Sequence, residues 1–475
     1  MSTSSESPAA TDFASLPLPP HVLAQLQHLG YTAMTPIQAA SLPPALAGKD
    51  LVAQAKTGSG KTAAFALALL ANLNIRRFAV QALVLCPTRE LADQVTQELR
   101  RLAAAEDNIK VLTLCGGAPI RNQLASLEHG AHVVVGTPGR ILDHLERGSL
   151  ELSALNTLVL DEADRMLDMG FFDDIAAVAK QCPKQRQTLL FSATYPEGIA
   201  KLAAAFMRDP QQVKVAEQPR HLQDQQIRQR YVEVREDERL HAVGLLLNHY
   251  RPASTLAFCN TKAQCRDLVA VLRAQGFSAL ELHGDLEQRD RDQVLVQFTQ
   301  KSLSVLVATD IAARGLDIEG LEAVINVDVT PDVATHTHRI GRTGRMGTEG
   351  QAEGWAFTLA TVDEMGRVGA IEAAGGFSSV WQPLAELKPT GSGPLLPAMA
   401  TVQILGGRKE KIRPGDVLGA LTKDLGFAGA QVGKISVNEF STYVAVAREI
   451  APQVVRKLAT GKVKGKSVKA RLLEG

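Results

Sequence analysis

Ala55-Lys-Thr-Gly-Ser-Gly-Lys-Thr62, preceded by Asp50-Leu51-Val52-Ala53 and followed by the Ala- and Leu-rich run from Thr62 to Leu73, decides how this chain folds. An apolar run of strand length, a glycine-rich turn and a helical stretch in immediate succession make a β-loop-α unit, with Lys61 and the loop amides at a helix N-terminus. Amides of such a turn wrap phosphate oxygens, the lysine offsets their charge, and a hydroxyl at the next position reaches a divalent cation. Further along, Leu158-Val-Leu-Asp-Glu-Ala-Asp164 ends an apolar strand in carboxylates, groups that hold Mg²⁺ and activate water. Ala55 stands where the generic loop has glycine, and an acidic tetrapeptide alone is a common helix start. In this context the two stretches together imply a nucleotide-hydrolysing site.

Around this unit, short aliphatic runs alternate with helical segments: ALVLCPT, VLTLCGG, HVVVGTP, TLVLDEA and QTLLFSAT. Strands that are apolar throughout, each followed by a helix, indicate a parallel sheet covered on both faces, with ligands at the strands' C-terminal ends. Gln211 to Arg230, rich in Gln and charge, reads as a connector, after which TLAFCNT, SALELHG, SVLVATD, AVINVDV and WAFTLA supply a second set. Pro and Gly in KPTGSGPLLP (388–397) break regular structure. In the remainder, strand, helix, two strands, helix, strand follow one another, the order of an RNA-recognition-type sandwich; its aromatic-rich central motif is missing, with only Phe440 and Tyr443 near that strand.

At 475 residues, the chain has room for two to four domains. Hydrophobic residues at 45% and charged residues at 21% fit a soluble globular protein. Net charge is only +1, but residues 401–475 hold 14 Lys+Arg against 6 Asp+Glu, a local +8, which leaves 37 against 44, or −7, elsewhere. A basic tail on a weakly acidic body points to a polyanionic partner at the C-terminal end. Cys86, Cys115, Cys182, Cys259 and Cys265 show no CxxC spacing and sit in apolar runs, as core residues of a reducing compartment do. Neither a signal peptide nor an apolar run of spanning length is present, so a cytoplasmic protein without membrane attachment is expected.

With Phe13, GYTAMTPIQ (30–38), PTRELA (87–92), Gly116-Gly117, TPGR (137–140), SAT (192–194), Gln288 with Arg291, ATDIAARGLDI (308–318) and HRIGRTGR (338–345) in this order, the chain resembles the DEAD-box ATP-dependent RNA helicases from about Phe13 to Gly350. The resemblance implies an α/β fold: two RecA-like parallel-sheet domains in tandem plus a small C-terminal RRM-like α+β domain. The expected boundaries are an N-terminal segment 1–40 with the adenine-reading motif, RecA-like domains at 41–215 and 216–385, a linker at 386–400 and the RRM-like domain at 401–475. GGRKEKIRPGDVLGAL (406–421), GKISV, YVAV and GKVKGKSVKARLL (461–473) look like the RNA-binding domain of bacterial family members specific for 23S ribosomal RNA. That likeness implies a hairpin of 23S rRNA, and pre-50S particles, as the target of a monomeric enzyme.

The cofactors implied are ATP and Mg²⁺. Phe13 and Gln38 would meet adenine; Thr57, Gly58, Ser59, Gly60, Lys61 and Thr62 the phosphates; Asp317 the ribose; Thr62 and Asp161 the metal. Lys61, Asp161, Glu162, Arg342 and Arg345 would be catalytic, Glu162 acting on the attacking water and the two arginines, from the second half, reaching the γ-phosphoryl when the halves close. Arg89, Gly116, Gly117, Thr137, Gly139, Arg140, Arg291 and Thr309 would grip the RNA backbone without reading sequence. Asp164, Ser192, Thr194, His338 and Arg339 would couple the ATP side to the RNA side. Lys409, Lys411, Arg413, Lys464, Lys466, Lys469 and Arg471, with Lys469 and Arg471 alternating along one strand, form the basic face expected to anchor RNA. The same motifs also fit an ATP-switched RNA clamp or assembly scaffold that closes on RNA without separating strands.

Overall fold

The computed structural model describes residues 12–55, 59–106, 108–215, 227–313, 320–344, 354–375 and 377–473. The chain divides into two compact units, the first carrying one sheet and the second the others. In the first, β1 (Leu51–Gln54), β2 (Ala82–Leu85), β3 (Val111–Leu114), β4 (Val133–Gly136), β5 (Thr157–Leu160), β6 (Gln187–Ser192) and β7 (Gln211–Lys214) form a parallel sheet in the order β3-β4-β2-β5-β6-β1-β7. Alternation along each strand feeds two cores at once: Leu51 and Ala53 pack with Phe65, Val84 and Phe191 on one face, and Val52 with Leu83, Leu158 and Leu190 on the other. Burial on both faces is why these strands read as unbroken apolar runs.

The second unit repeats the plan with β8 (Ile227–Glu233), β9 (Thr255–Phe258), β10 (Ala279–Leu282), β11 (Val305–Ala308), β12 (Ala323–Asn326) and β13 (Gly354–Ala360), all parallel in the order β10-β11-β9-β12-β13-β8. The connector expected from Gln211 to Arg230 is corrected at both ends. Gln211–Lys214 is the edge strand of the first sheet and Ile227–Arg230 opens the edge strand of the second. Edge strands are half-wetted, and only Val213 of β7 is buried, so the apolar signature of the central strands is lacking there.

Also in the second unit, β14 (Met399–Leu405), β15 (Val432–Val437), β16 (Ser441–Ala447) and β19 (Lys469–Leu473) make an antiparallel sheet ordered β15-β16-β14-β19, beside a hairpin of β17 (Lys462–Val463) and β18 (Lys466–Ser467). One face of this sheet packs Val402, Ile404, Val444 and Val446 against Val417, Leu421, Val454 and Leu458 of its helical side. The other face meets the preceding RecA-like lobe. Gln300 donates to the Tyr443 carbonyl at 3.2 Å and accepts from the Thr401 hydroxyl at 3.0 Å, while Ser302 and Thr401 hydroxyls lie 2.6 Å apart. The intervening segment is pinned to the same lobe: Arg251 donates to the Gly393 carbonyl, and His249 Nδ1 lies 2.8 Å from the Lys388 carbonyl.

Candidate active site

The phosphate-type loop leaves β1 beside β6, where the Ala55 amide donates to the Ser192 carbonyl at 2.9 Å. Thr57 and Gly58 lie outside the described residues. Thr35 caps the helix Pro36–Leu46 in a reciprocal box with Gln38: the Thr35 N–H donates to Gln38 Oε1 at 2.8 Å. Gln38 Nε2 then donates to the Gly60 carbonyl at 3.1 Å, tying the motif expected to meet adenine to the loop. Gly60 sits at φ +91°, a left-handed turn that favours glycine, and a Cβ there would push against the Gln38 side-chain amide at 2.6 Å. Phe13 is buried and packs edge-on to Tyr31, ring centroids 6.1 Å apart.

Lys61 opens the helix Lys61–Ala71 and is 5% exposed; Asp161, just past β5, is 2% exposed. Lys61 Nζ and Asp161 Oδ1 are buried without a hydrogen-bond partner. Burial pushes the Asp161 carboxyl up to about 7, against the pull of the Lys61 ammonium. Buried polar atoms left without hydrogen-bond partners are costly, and a Mg²⁺-bound triphosphate would supply phosphate oxygens for Lys61 Nζ and a cation for Asp161 Oδ1. Among the described residues, no group of three or more His, Cys, Asp or Glu is placed to hold a metal; Mg²⁺ needs no such cage, since one or two carboxylates and the substrate's phosphates hold it. Thr62 follows Lys61 on the same helix, and Ser59 precedes Gly60 in the described part of the loop.

Glu162 takes a left-handed backbone, φ 51°, where the chain turns from β5 into the helix Ala163–Asp168, and its carboxylate pairs with Arg165. Arg165 escaped the sequence reading, although its position three residues on in a new helix was the available signal. Asp164 points the other way: its Oδ2 accepts from the Thr194 amide at 2.9 Å and hydroxyl at 2.8 Å, and the Ser192 hydroxyl donates to the Thr194 carbonyl at 2.6 Å. Three of the five residues expected to couple the two sides thus meet.

The first unit's predicted RNA-side residues follow the ends of β2, β3 and β4, and one of them, Arg140, is held by a residue the sequence reading missed. Gln123 donates to the Cys115 carbonyl at 2.8 Å and accepts from Arg140 Nη1 at 3.1 Å, and its Oε1 lies 2.9 Å from His144 Nε2. Burial, with Arg140 beside it, lowers the His144 pKa. Gly117 has φ 76°, Gly116 has open space where a Cβ would stand, and Thr137 and Gly139 open the helix that carries Arg140. Arg89 begins the helix Arg89–Leu102.

In the second unit Arg339 is 1% exposed and locked in place. It donates to both oxygens of Asp310 at 2.7 and 2.6 Å, to Asn326 at 3.3 Å and to Asn260 at 3.2 Å, and it lies over the Phe258 ring. Arg339, expected to take part in coupling the ATP side to the RNA side, thus bonds to Asp310, Asn326 and Asn260 of its own lobe. His338, next to it, is exposed, and Arg342 is buried. Arg291 donates to the Ala312 carbonyl at 2.8 Å, bracing the turn that begins at Thr309. Asp317 and Arg345 fall outside the described residues. In the tail Lys409, Lys411, Arg413, Lys464, Lys466, Lys469 and Arg471 are all exposed, and Arg471 Nε donates to Gln403 at 2.7 Å.

Two parallel-sheet lobes with this loop and these carboxylates define a nucleotide-dependent helicase, and comparison with known proteins agrees. Residues 35–202 match the DEAD/DEAH box helicase family, 238–347 the helicase conserved C-terminal domain and 401–472 the DbpA RNA binding domain. The chain belongs to the DEAD-box ATP-dependent RNA helicases. It is 50% identical over 463 residues to the ATP-dependent RNA helicase DbpA of Escherichia coli (strain K12), covering 96% of this chain and 98% of that one. The DEAD-box ATP-dependent RNA helicase CshA of Geobacillus kaustophilus (strain HTA426) is 44% identical over 362 residues, 76% of each chain. Among solved structures, S. cerevisiae Dbp5 bound to RNA and ADP BeF3 superposes with a TM-score of 0.70 at 30% identity, covering 78% of this chain and 96% of that one. No helix among the described residues is long and apolar enough to cross a membrane.

Proposed function

We propose that this helicase remodels 23S ribosomal RNA during assembly of the large ribosomal subunit, acting as a cytoplasmic monomer that its C-terminal domain anchors to a ribosomal hairpin. The match of residues 401–472 to the DbpA RNA binding domain carries the choice of target. The buried Lys61 Nζ and Asp161 Oδ1, neither with a hydrogen-bond partner, support the catalytic assignment.

In this reading Phe13 and Gln38 favour adenine, Gln38 held for that task by Thr35 and Gly60. Amides of the loop and Lys61 bind the phosphates, and Asp317 meets the ribose. Thr62 and Asp161 would hold Mg²⁺, whose bound charge offsets that of the phosphate oxygens. Glu162, oriented by Arg165, accepts the proton of the attacking water. Arg342 and Arg345 meet the charge that develops on the γ-phosphoryl, a contribution of roughly 10³ to 10⁵ in rate for arginines so placed. Arg89, Gly116, Gly117, Thr137, Gly139, Arg140, Arg291 and Thr309 hold the sugar-phosphate backbone. Asp164, Ser192 and Thr194 pass the state of the ATP site to those contacts, and Arg339 holds the Thr309 turn through Asp310.

Crosslinking the protein to RNA in cells, followed by mapping of the crosslinks, tests the target. Enrichment on one hairpin region of 23S rRNA in immature large subunits is expected; crosslinks spread over messenger RNAs would overturn it.

A further inference from the structure

The sheet face on which RNA-recognition domains usually stack bases is closed here over much of its length. Thr401, Gln403 and Tyr443 are buried, Gln300 and Ser302 of the neighbouring lobe bond to the Thr401 hydroxyl, and the Tyr443 hydroxyl, itself within the sheet, accepts from Gln403 at 3.2 Å. Tyr443, the ring best placed by sequence, is 3% exposed and has no free face to offer.

The far end of the same sheet is different. Phe440, at the turn between β15 and β16, is 56% exposed, and the Lys409 ammonium lies 4.2 Å from its ring centroid. A rigid ledge supports the pair. Gly406, Arg408 and Lys409 donate backbone N–H bonds of 2.9 to 3.1 Å to the carbonyls of Phe440, Asn438 and Glu439. A Cβ at Gly407 would fall 2.3 Å from the Asn438 carbonyl, so the two loops meet this closely only with glycine there. A third loop arrives from β17–β18: Lys464 donates to the Lys411 carbonyl and pairs with Asp416 at 3.4 Å. The Gly407 N–H holds the Glu410 carboxyl below the usual range, and the charges of Lys466 and Lys409 lower it further; Lys466 lies on the same hairpin that brings Lys464 to Lys411. Two basic clusters far apart in sequence therefore meet where Lys464 reaches Lys411, and one of them, through Lys409, covers an exposed aromatic ring. A lone exposed phenylalanine needs no explanation; one held by a backbone zipper under a cation, amid lysines, has the chemistry of a base-stacking platform flanked by phosphate contacts.

We infer that Phe440 and the ledge of Lys409, Lys411, Lys464 and Lys466 form the tail's base-reading site, which stacks one unpaired RNA base on Phe440 while the lysines hold its flanking phosphates. This inference rests on the RNA-anchoring role of the tail proposed above and places the reading at the domain's edge, away from its sheet face.

The full-length chain and two fluorescein-labelled probes test it: a 23S rRNA hairpin with its loop, and a blunt RNA duplex without unpaired bases. Fluorescence anisotropy is measured over a salt series. Phe440→Ala should weaken hairpin binding about 5- to 150-fold with the salt slope and duplex binding unchanged, and Phe440→Trp should restore it. Lys409→Ala should instead make the salt slope shallower by about 0.7 to 0.9. Hairpin affinity within about twofold of wild type for Phe440→Ala, or equal rescue by Phe440→Leu and Phe440→Trp, would overturn the stacking site. An unrelated hairpin distinguishes the two readings: equal wild-type affinity for it, with the same loss in Phe440→Ala, would sustain the stacking site while removing the ribosomal target.

Discussion

Replacing Thr401 by Val tests whether the docked tail transmits RNA capture to the second RecA-like lobe. The Thr401 hydroxyl bonds to Ser302 at 2.6 Å and to Gln300 at 3.0 Å, and both partners are buried. Valine keeps the shape and leaves the apolar face of β14, with Val402 and Ile404, untouched. Ser302 keeps its bond to the Gln297 carbonyl, and the Gln300 oxygen left without a donor costs about 1–3 kcal/mol, so docking should weaken by about 5- to 150-fold in the docked ratio. Hairpin affinity, hairpin-stimulated ATP hydrolysis and proteolysis of the segment around Lys388 are measured on the same preparation. Affinity should stay within about threefold, proteolysis should accelerate, and stimulation should fall by about fivefold or more, following the weakened docking. Faster cleavage with undiminished stimulation would refute the reasoning, because a loosened tail would then serve as well as a fixed one.

At the ATP site, Glu162→Gln keeps a hydrogen-bonding partner for Arg165 but cannot take a proton, so ATP and RNA binding should persist while turnover in a phosphate-release assay falls at least about 10²-fold, the range of a general base. Thr194→Val removes one of the three donors to the Asp164 carboxylate among the described residues, a bond of about 1.5–3 kcal/mol. Strand displacement should drop about 10-fold or more, with RNA-independent ATP hydrolysis little changed. His336 supplies a pH test. Burial, and then Arg339, bring its pKa down from 6.5 to about 4. The folded state therefore takes up fewer protons than the unfolded chain, and the stability present above pH 6.5 is lost as pH falls toward 4, by about 3 kcal/mol in all. Denaturant midpoints over that interval should fall less steeply in His336→Gln than in wild type.

The central strands and most of the nucleotide site were legible because each carries a local signature. Two-faced burial makes β2, β4 and β5 unbroken apolar runs, and a phosphate loop needs glycine and lysine at fixed spacing. The edge strands β7 and β8 were hidden because half of each faces water. Gln123, Arg165 and Asn326 hold functional residues through single side-chain bonds, for which no local pattern exists. The tail shows the same limit. Alternation along β16 puts Tyr443 on the face away from its own core, but only the fold reveals that another lobe covers it and leaves Phe440 exposed.

Most directly, the account is tested by strand displacement and ATP hydrolysis on a short duplex, with and without an attached 23S rRNA hairpin, comparing the full chain with one ending at Ala400. The lobe surface exposed by that cut is polar at Gln300 and Ser302, so the shortened protein should stay soluble. The account predicts hairpin-dependent displacement by the full chain and a weak, hairpin-indifferent ATPase in the shortened one. An undiminished preference for the hairpin without the tail would contradict it.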